Sequence, residues 1–209
     1  SCCPAWSAMA KKLFPDQANC ISMALTPMTL TARLVKHHQP GAKVAFIGPC
    51  AAKKLEAMRR TVRSEVDFVL TFEEMAGIFE ARHIDVNTLK EDPHGVNDAS
   101  ADGRNFAVSG GVAQAVVNVI KEKYPDREIK VANAEGLSEC RKLMMMAKAG
   151  KYNGYLLEGM ACPGGCVAGA GTMQSIKKSS VAVNMYAKQA EHQVATGTHH
   201  VAELDKLVD

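Results

Sequence analysis

Apolar and polar positions alternate along this chain with two periods, and the switches between them outline its elements. From Ala5 to Phe14 the composition is helical, with Pro4 at the favoured first-turn position and Pro15-Asp16 as the stop. Pro27 opens a second helix that runs to His38, where Gln39-Pro40-Gly41 breaks it. Lys43 to Ile47 (KVAFI) reads as a short buried strand entering Gly48-Pro49-Cys50 and a helical stretch, AAKKLEAMRR. Asp67 to Leu70 (DFVL) is a second strand, and Thr71 with Glu74 makes a capping-box pattern for a helix to Arg82. The polar stretch Glu91 to Asp102 reads as a loop. Asn105 to Val108 reads as a third strand, followed by a tight turn at Ser109-Gly110-Gly111 and the apolar-periodic helix VAQAVVNVIKEK, ended by Pro125-Asp126. Glu128 to Ala132 is another strand, Ser138 to Ala149 a helix closed by Gly150, and Tyr155-Leu156-Leu157 the last strand. From Gln174 the chain is helical in composition, low in aromatics and peripheral, and no internal repeat occurs.

Strands alternating with helices imply an α/β fold, a mostly parallel sheet flanked by helices. Ligands of such sheets gather beyond the carboxyl ends of the strands. Cys50 and the Cys162/Cys166 pair both fall just past such ends.

Composition narrows the function classes. A chain of 209 residues suits one domain or two small lobes with a substantial core. Its apolar share of 47% is that of a globular protein, and no apolar run approaches a bilayer span, so a membrane role is not expected. The formal charge of +3, without a basic stretch interleaved with aromatics, argues against nucleic acid. Seven cysteines without a signal-peptide pattern point to a reducing, cytoplasmic setting, where clustered thiols serve metals or redox chemistry. The chain starts directly on Ser1-Cys2-Cys3-Pro4, as expected of a fragment.

The cysteines are the candidate chemistry. Cys3, Cys50, Cys162 and Cys166 each lie beside Pro or Gly near a helix start, with Cys2 next to Cys3, where free N–H groups and the helix dipole lower a thiol's pKa. The Cys-x2-Cys pairs and Cys2His2 spacing of zinc sites do not occur. Glycines in CPGGC let backbone N–H groups approach bridging sulfides, which favours a bulky cluster over a single ion. Cys20 and Cys140, isolated in helical patterns, read as small buried residues.

The segments SCCPAW from Ser1, GPCAAKKLE from Gly48 and EGMACPGGCVAGAG from Glu158 resemble the three signature segments of the FeFe hydrogenase catalytic domain, in the same order. The resemblance runs from Ser1 to about Gly171 and extends to SGGVAQAV and AEGLSECRKL. It implies two intertwined lobes, with residues 1–209 the carboxy-terminal portion of an H-cluster domain and 174–209 a peripheral helical tail. It implies a 4Fe-4S cubane on Cys3, Cys50, Cys162 and Cys166, with Cys166 bridging to a two-iron subsite that carries carbonyl, cyanide and a dithiolate with a bridgehead amine. Cys2 matches the proton-relay thiol, Lys53 the donor to a cyanide, Met160 the methionine beside the two-iron site, and Ser22 the proton-path serine. Glu56 lies one turn after Lys53, where it can pair with it.

The implied activity is the reversible reduction of protons to dihydrogen, with a ferredoxin-type electron carrier and the amino-terminal part of the same protein as partners. The isolated fragment is expected to be inactive and can lack the cluster. The alternatives are a non-catalytic relative, either a hydrogen or redox sensor or a simple iron–sulfur protein, and an α/β interaction module without a cluster.

Two departures from the family pattern stand out. Gly48 occupies a position where well-known members carry Met, which is expected to leave the two-iron site more open, and Val167 to Thr172 replaces a run of glycines. Elsewhere, Met144-Met145-Met146 reads as core packing, and the basic run Lys53 to Arg63 as a solvated helix face or a dock for an acidic carrier. His192, His199 and His200 share no helical face and read as a solvated tail.

Overall fold

The computed structural model describes residues 2–90, 92 and 98–204. It opens with α1 (Pro4–Leu13), a 3-10 turn (Pro15–Cys20) and α2 (Pro27–His38). A unit of β1 (Ala45–Ile47), α3 (Ala52–Met58), β2 (Phe68–Leu70) and α4 (Phe72–Ala81) follows. Next come α5 (Ala101–Asn105), α6 (Gly111–Lys123), β3 (Lys130–Glu135), α7 (Leu137–Lys148) and β4 (Tyr155–Met160). The chain continues through α8 (Ile176–Lys188) to the short α9 (Val201–Leu204).

The local chemistry explains several boundaries. Thr26 caps α2 by accepting from the Thr29 N–H, with Pro27 in the first turn. The capping box of α4 is formed, Thr71 accepting from the Glu74 N–H while the Glu74 carboxylate accepts from the Thr71 N–H.

The strands form two separate two-stranded sheets, each parallel: β1 with β2, and β3 with β4. Register pairs Ala45 with Phe68 in the first and Lys130 with Tyr155 in the second. Asp67 ties the first sheet at its base, accepting from the Val44 N–H at 2.8 Å, Lys36 Nζ at 2.9 Å and Lys43 Nζ at 3.1 Å.

Four expectations need correction. Asn105 to Val108 is not a strand: Ser100 accepts from the Gly103 N–H and starts a helix through Asn105, and the segment after it turns back. That helix also begins inside the stretch read as a loop, of which residues 91 and 93–97 lie outside the described set. Cys20 is exposed at the end of a 3-10 turn, whereas Cys140 is fully buried. Of the three consecutive methionines only Met144 is in the core; Met145 is exposed.

One cluster joins Ala10, Phe14, Ile21 and Met144, with Trp6 and Met9 against it, so α7 is packed on the amino-terminal helix. A second joins Ala101 to Ala187 and Ala190. Arg104 lies over the Tyr186 ring at 3.9 Å and donates to the Tyr186 carbonyl at 2.7 Å. Helix α8 is therefore pinned to α5. Among the described residues, no helix is long and apolar enough to cross a membrane.

Candidate metal centre

Three chain segments carry the cysteines to one region. Cys3 is the N-cap of α1, in extended conformation, and its carbonyl accepts from the Ser7 N–H. Cys50 lies between β1 and α3, and its carbonyl accepts from the Lys53 N–H at 3.3 Å. Cys162 follows the end of β4, and Cys166 opens a short 3-10 turn to Ala168. Both strand ends thus deliver a cysteine, one from each sheet.

Glycine chemistry explains how the third segment reaches the other two. A Cβ on Gly159 would lie 2.2 Å from Trp6 Nε1, and one on Gly169 would lie 2.3 Å from the Pro49 carbonyl oxygen. Gly171 then donates to that Pro49 oxygen at 2.9 Å. The glycines therefore let the loop press directly against the segments holding Cys3 and Cys50. Gly48 has its own reason: a side chain there would meet the Phe46 ring at 2.8 Å.

The thiols share one electrostatic environment. Cys166 is pushed up from its ordinary 9.0 to about 12, first by burial and then by Cys2, Cys50, Cys3 and Cys162 as neighbouring acids. Cys2 is pushed up to about 11 by burial and by Cys3, with Lys53 pulling the other way and Glu158 adding to the rise. Burial also raises Cys162, helped by Cys3 and Cys50. For Cys2, Cys162 and Cys166 these shifts correct the expectation that helix starts would lower the thiols: desolvation overrides the dipole. All seven cysteines are described, and no disulfide joins them.

The donor set suits a cluster. Among the described residues, no group of three or more His, Cys, Asp or Glu with ligand atoms all within 4.8 Å of one another contains a cysteine. A single zinc ion, with Zn–S bonds of about 2.3 Å, would hold its sulfurs roughly 3.8 Å apart. Among the described residues no three thiols lie that close together, so they are not arranged around a single zinc ion.

Beside them lies a buried polar network. Lys53 is 8% exposed and its Nζ sits 2.7 Å from Glu56 Oε2. The other oxygen of Glu56 accepts from Thr26 Oγ1 at 2.5 Å and from Thr29 Oγ1 at 3.4 Å. Lys53 is thus not part of a solvated basic face, and Lys54 is engaged by Glu74. Glu158 is a buried carboxylate whose two oxygens accept from the Gly110 and Ala113 N–H groups, both at 2.6 Å, at the start of α6. Such charge-assisted bonds to a helix start, which has no side-chain cap of its own, complement the dipole.

The structure thus gathers Cys2, Cys3, Cys50, Cys162, Cys166, Lys53 and Glu56. Met160 is 1% exposed, in a core position, its carbonyl accepting from the Gly136 N–H at 2.8 Å. Ser22 is exposed, its Oγ accepting from the Ala24 N–H at 3.3 Å. Sequence reasoning missed Thr26, Thr29 and Glu158. The Thr-Pro helix start could have indicated Thr26. For Glu158 the only signal was an acidic residue in a strand otherwise apolar.

The family model described as iron only hydrogenase large subunit, C-terminal domain, matches residues 1–170. The chain is 29% identical over 82% of its length to the periplasmic Fe hydrogenase large subunit of Nitratidesulfovibrio vulgaris, covering 50% of that protein. It is 29% identical over 82% of its length to the NADP-reducing hydrogenase subunit HndD of Solidesulfovibrio fructosivorans, covering 36% of it. Nuclear prelamin A recognition factor of Xenopus laevis is 25% identical over 84% of the chain, which covers 48% of that protein. The chain thus spans half or less of these relatives. A solved FeFe-hydrogenase from Chlamydomonas reinhardtii superposes with a TM-score of 0.75 over the whole chain and 71% of its own, at 22% identity, a likeness of fold.

Proposed function

The chain belongs to the iron-only hydrogenase large-subunit family, matching its C-terminal domain, and on that premise we propose that it is the carboxy-terminal portion of an FeFe hydrogenase catalytic domain. In this reading Cys3, Cys50, Cys162 and Cys166 hold the cubane of an H-cluster, with Cys166 bridging to the two-iron subsite. The observation that carries it is the meeting of Cys166 with Cys2, Cys3, Cys50 and Cys162 as mutual electrostatic neighbours. The names of the two hydrogenase relatives support hydrogen chemistry. The ferredoxin-type carrier rests on the resemblance of the cysteine segments, and the cytoplasmic setting rests on the clustered free thiols and not on the relatives, one of which is named periplasmic. The remainder of the catalytic domain would come from the rest of the protein.

When bound, the group supplies an open metal position and a base for heterolytic splitting of dihydrogen. The chain's own residues do the rest. Cys2, half-buried and protonated at neutral pH, holds a transferable proton at its Sγ beside the Lys53 ammonium. Lys53, anchored by Glu56, presents a buried N–H donor to an anionic ligand such as cyanide. Met160 shields the site from water, and Ser22 stands at the surface as an entry for protons.

A second reading draws on the relatives named cytosolic Fe-S cluster assembly factors and nuclear prelamin A recognition factor. It keeps a cubane on the same thiolates and omits hydrogen turnover. Iron analysis and infrared spectra of the full-length protein, matured anaerobically, separate the two. Carbonyl and cyanide bands that vanish in Cys166→Ala support the hydrogenase; iron without bands supports the second reading; absence of iron overturns both.

A further inference from the structure

The end of the chain brings a different donor set together. Asp98, just before α5, faces His199 and His200, just before α9. One oxygen, Asp98 Oδ2, lies 2.9 Å from His200 Nε2 and 3.8 Å from His199 Nε2. The two imidazole rings stand 3.9 Å apart between centroids, and the three ligand atoms all fall within 4.8 Å of one another. His192, which the sequence grouped with this pair, points instead toward Gly197.

An ordinary ion pair accounts for only part of this. At 2.9 Å the His200 contact is a hydrogen bond, while at 3.8 Å the His199 nitrogen is aimed at the same oxygen without making one. A divalent ion held tetrahedrally about 2.0–2.2 Å from imidazole nitrogen and carboxylate oxygen separates its ligand atoms by roughly 3.3–3.6 Å. The two distances to Asp98 Oδ2, 2.9 Å from His200 and 3.8 Å from His199, bracket that value. The His199 side chain, 68% exposed, has the room to close the remaining gap by rotation. Asp98 is held below its ordinary value, chiefly by the His200 hydrogen bond, and so offers an anionic oxygen.

We propose that Asp98, His199 and His200 form a surface site for a divalent transition cation of the zinc class, ligated by two imidazoles and one carboxylate with water in the open positions. The site joins residues 101 places apart in sequence, counting from Asp98 to His199. It fastens the end of the chain to the loop entering α5, where Ala101 and Asp102 already donate to the carbonyls of His192 and Gln193 at 2.9 and 3.1 Å. Its role is that of a structural staple, chemically separate from the cysteine centre, since it has no thiolate.

Cobalt(II) titration of the full-length protein tests this, because sulfur ligation gives intense charge-transfer absorption and imidazole–carboxylate ligation gives only weak ligand-field bands. One equivalent of cobalt without a sulfur band is expected, displaced by zinc. His200→Ala and Asp98→Asn are expected to weaken it by about tenfold or more, and His192→Ala to leave it unchanged. Zinc should also slow proteolysis of the chain beyond α8 in the wild type and not in His200→Ala. A cobalt signal of sulfur type alone, or a weak-band signal indifferent to both substitutions, overturns the site.

Discussion

Lys53 and Glu56 form a buried ion pair one helical turn apart, 2.7 Å between Nζ and Oε2, with each side chain at most 10% exposed. Two hydroxyls, from Thr26 and Thr29, complete the carboxylate on its far oxygen. Such a pair is costly to break from one side, because the remaining charge stays buried without a partner.

Glu56→Ala should therefore destabilise the protein by about 3–5 kcal/mol, and Lys53→Met with Glu56→Leu together should cost less than Glu56→Ala alone. Urea unfolding of the three proteins checks this, and a double variant as unstable as the single one would show that the pair is not the source of the loss.

Glu158 makes a second one-sided test. Glu158→Ala leaves the Gly110 and Ala113 N–H groups without their acceptor, at about 1–3 kcal/mol for each buried group left unpaired. Glu158→Gln retains one oxygen and should fall between Ala and wild type. Amide exchange at Gly110 and Ala113 should quicken in the same order; unchanged protection at both would refute the capping role.

The glycines divide into two kinds. Gly77, in α4, has open space where a side chain would go, so Gly77→Ala should stabilise by about 0.5–1 kcal/mol through helix propensity. Gly169→Ala drives a methyl into the Pro49 carbonyl and should lower both stability and iron retention. Thermal melting with iron analysis distinguishes them, and equal behaviour of the two variants would contradict the close approach.

The thiols give a pH dependence whose sign follows from their shifts. Cys166 and Cys2 bind protons more tightly folded than at their ordinary 9.0, rising to about 12 and about 11. The unfolded chain ionises first, so stability is intact below pH 9 and declines as pH rises from 9 toward 11–12. Denaturant midpoints of the metal-free protein from pH 8 to 11 should fall, and at pH 8 exposed Cys20 should alkylate before Cys166. Bound metal, by replacing the protons, should flatten the profile.

Helix α2 was legible to its ends because Thr26-Pro27 and Gln39-Pro40-Gly41 encode start and stop within a few residues. The β3 strand was found but shifted, from 128–132 to 130–135, since what fixes its register is pairing with β4 and not its own composition. Asn105 to Val108 misled because its apolar content suits a strand, while Ser100, five residues earlier, supplies the cap that makes a helix. The cysteines were legible as a constellation because three segments carry them with their glycines. The burial of Lys53 and the partners of Glu158 were not, since they depend on residues 27 to 48 positions away.

Among the described residues the two sheets share no strand, and the loops after β1 and β4 each bring cysteine to a common cluster. The Cys162 loop meets the first sheet's unit through Gly169 and Gly171, the second of which donates to the Pro49 carbonyl and accepts from the Glu73 N–H. A body held by thiolates from both sides would act as a rivet across a seam. Its loading should make the halves melt together, and any machinery that inserts it must reach the seam before the halves close.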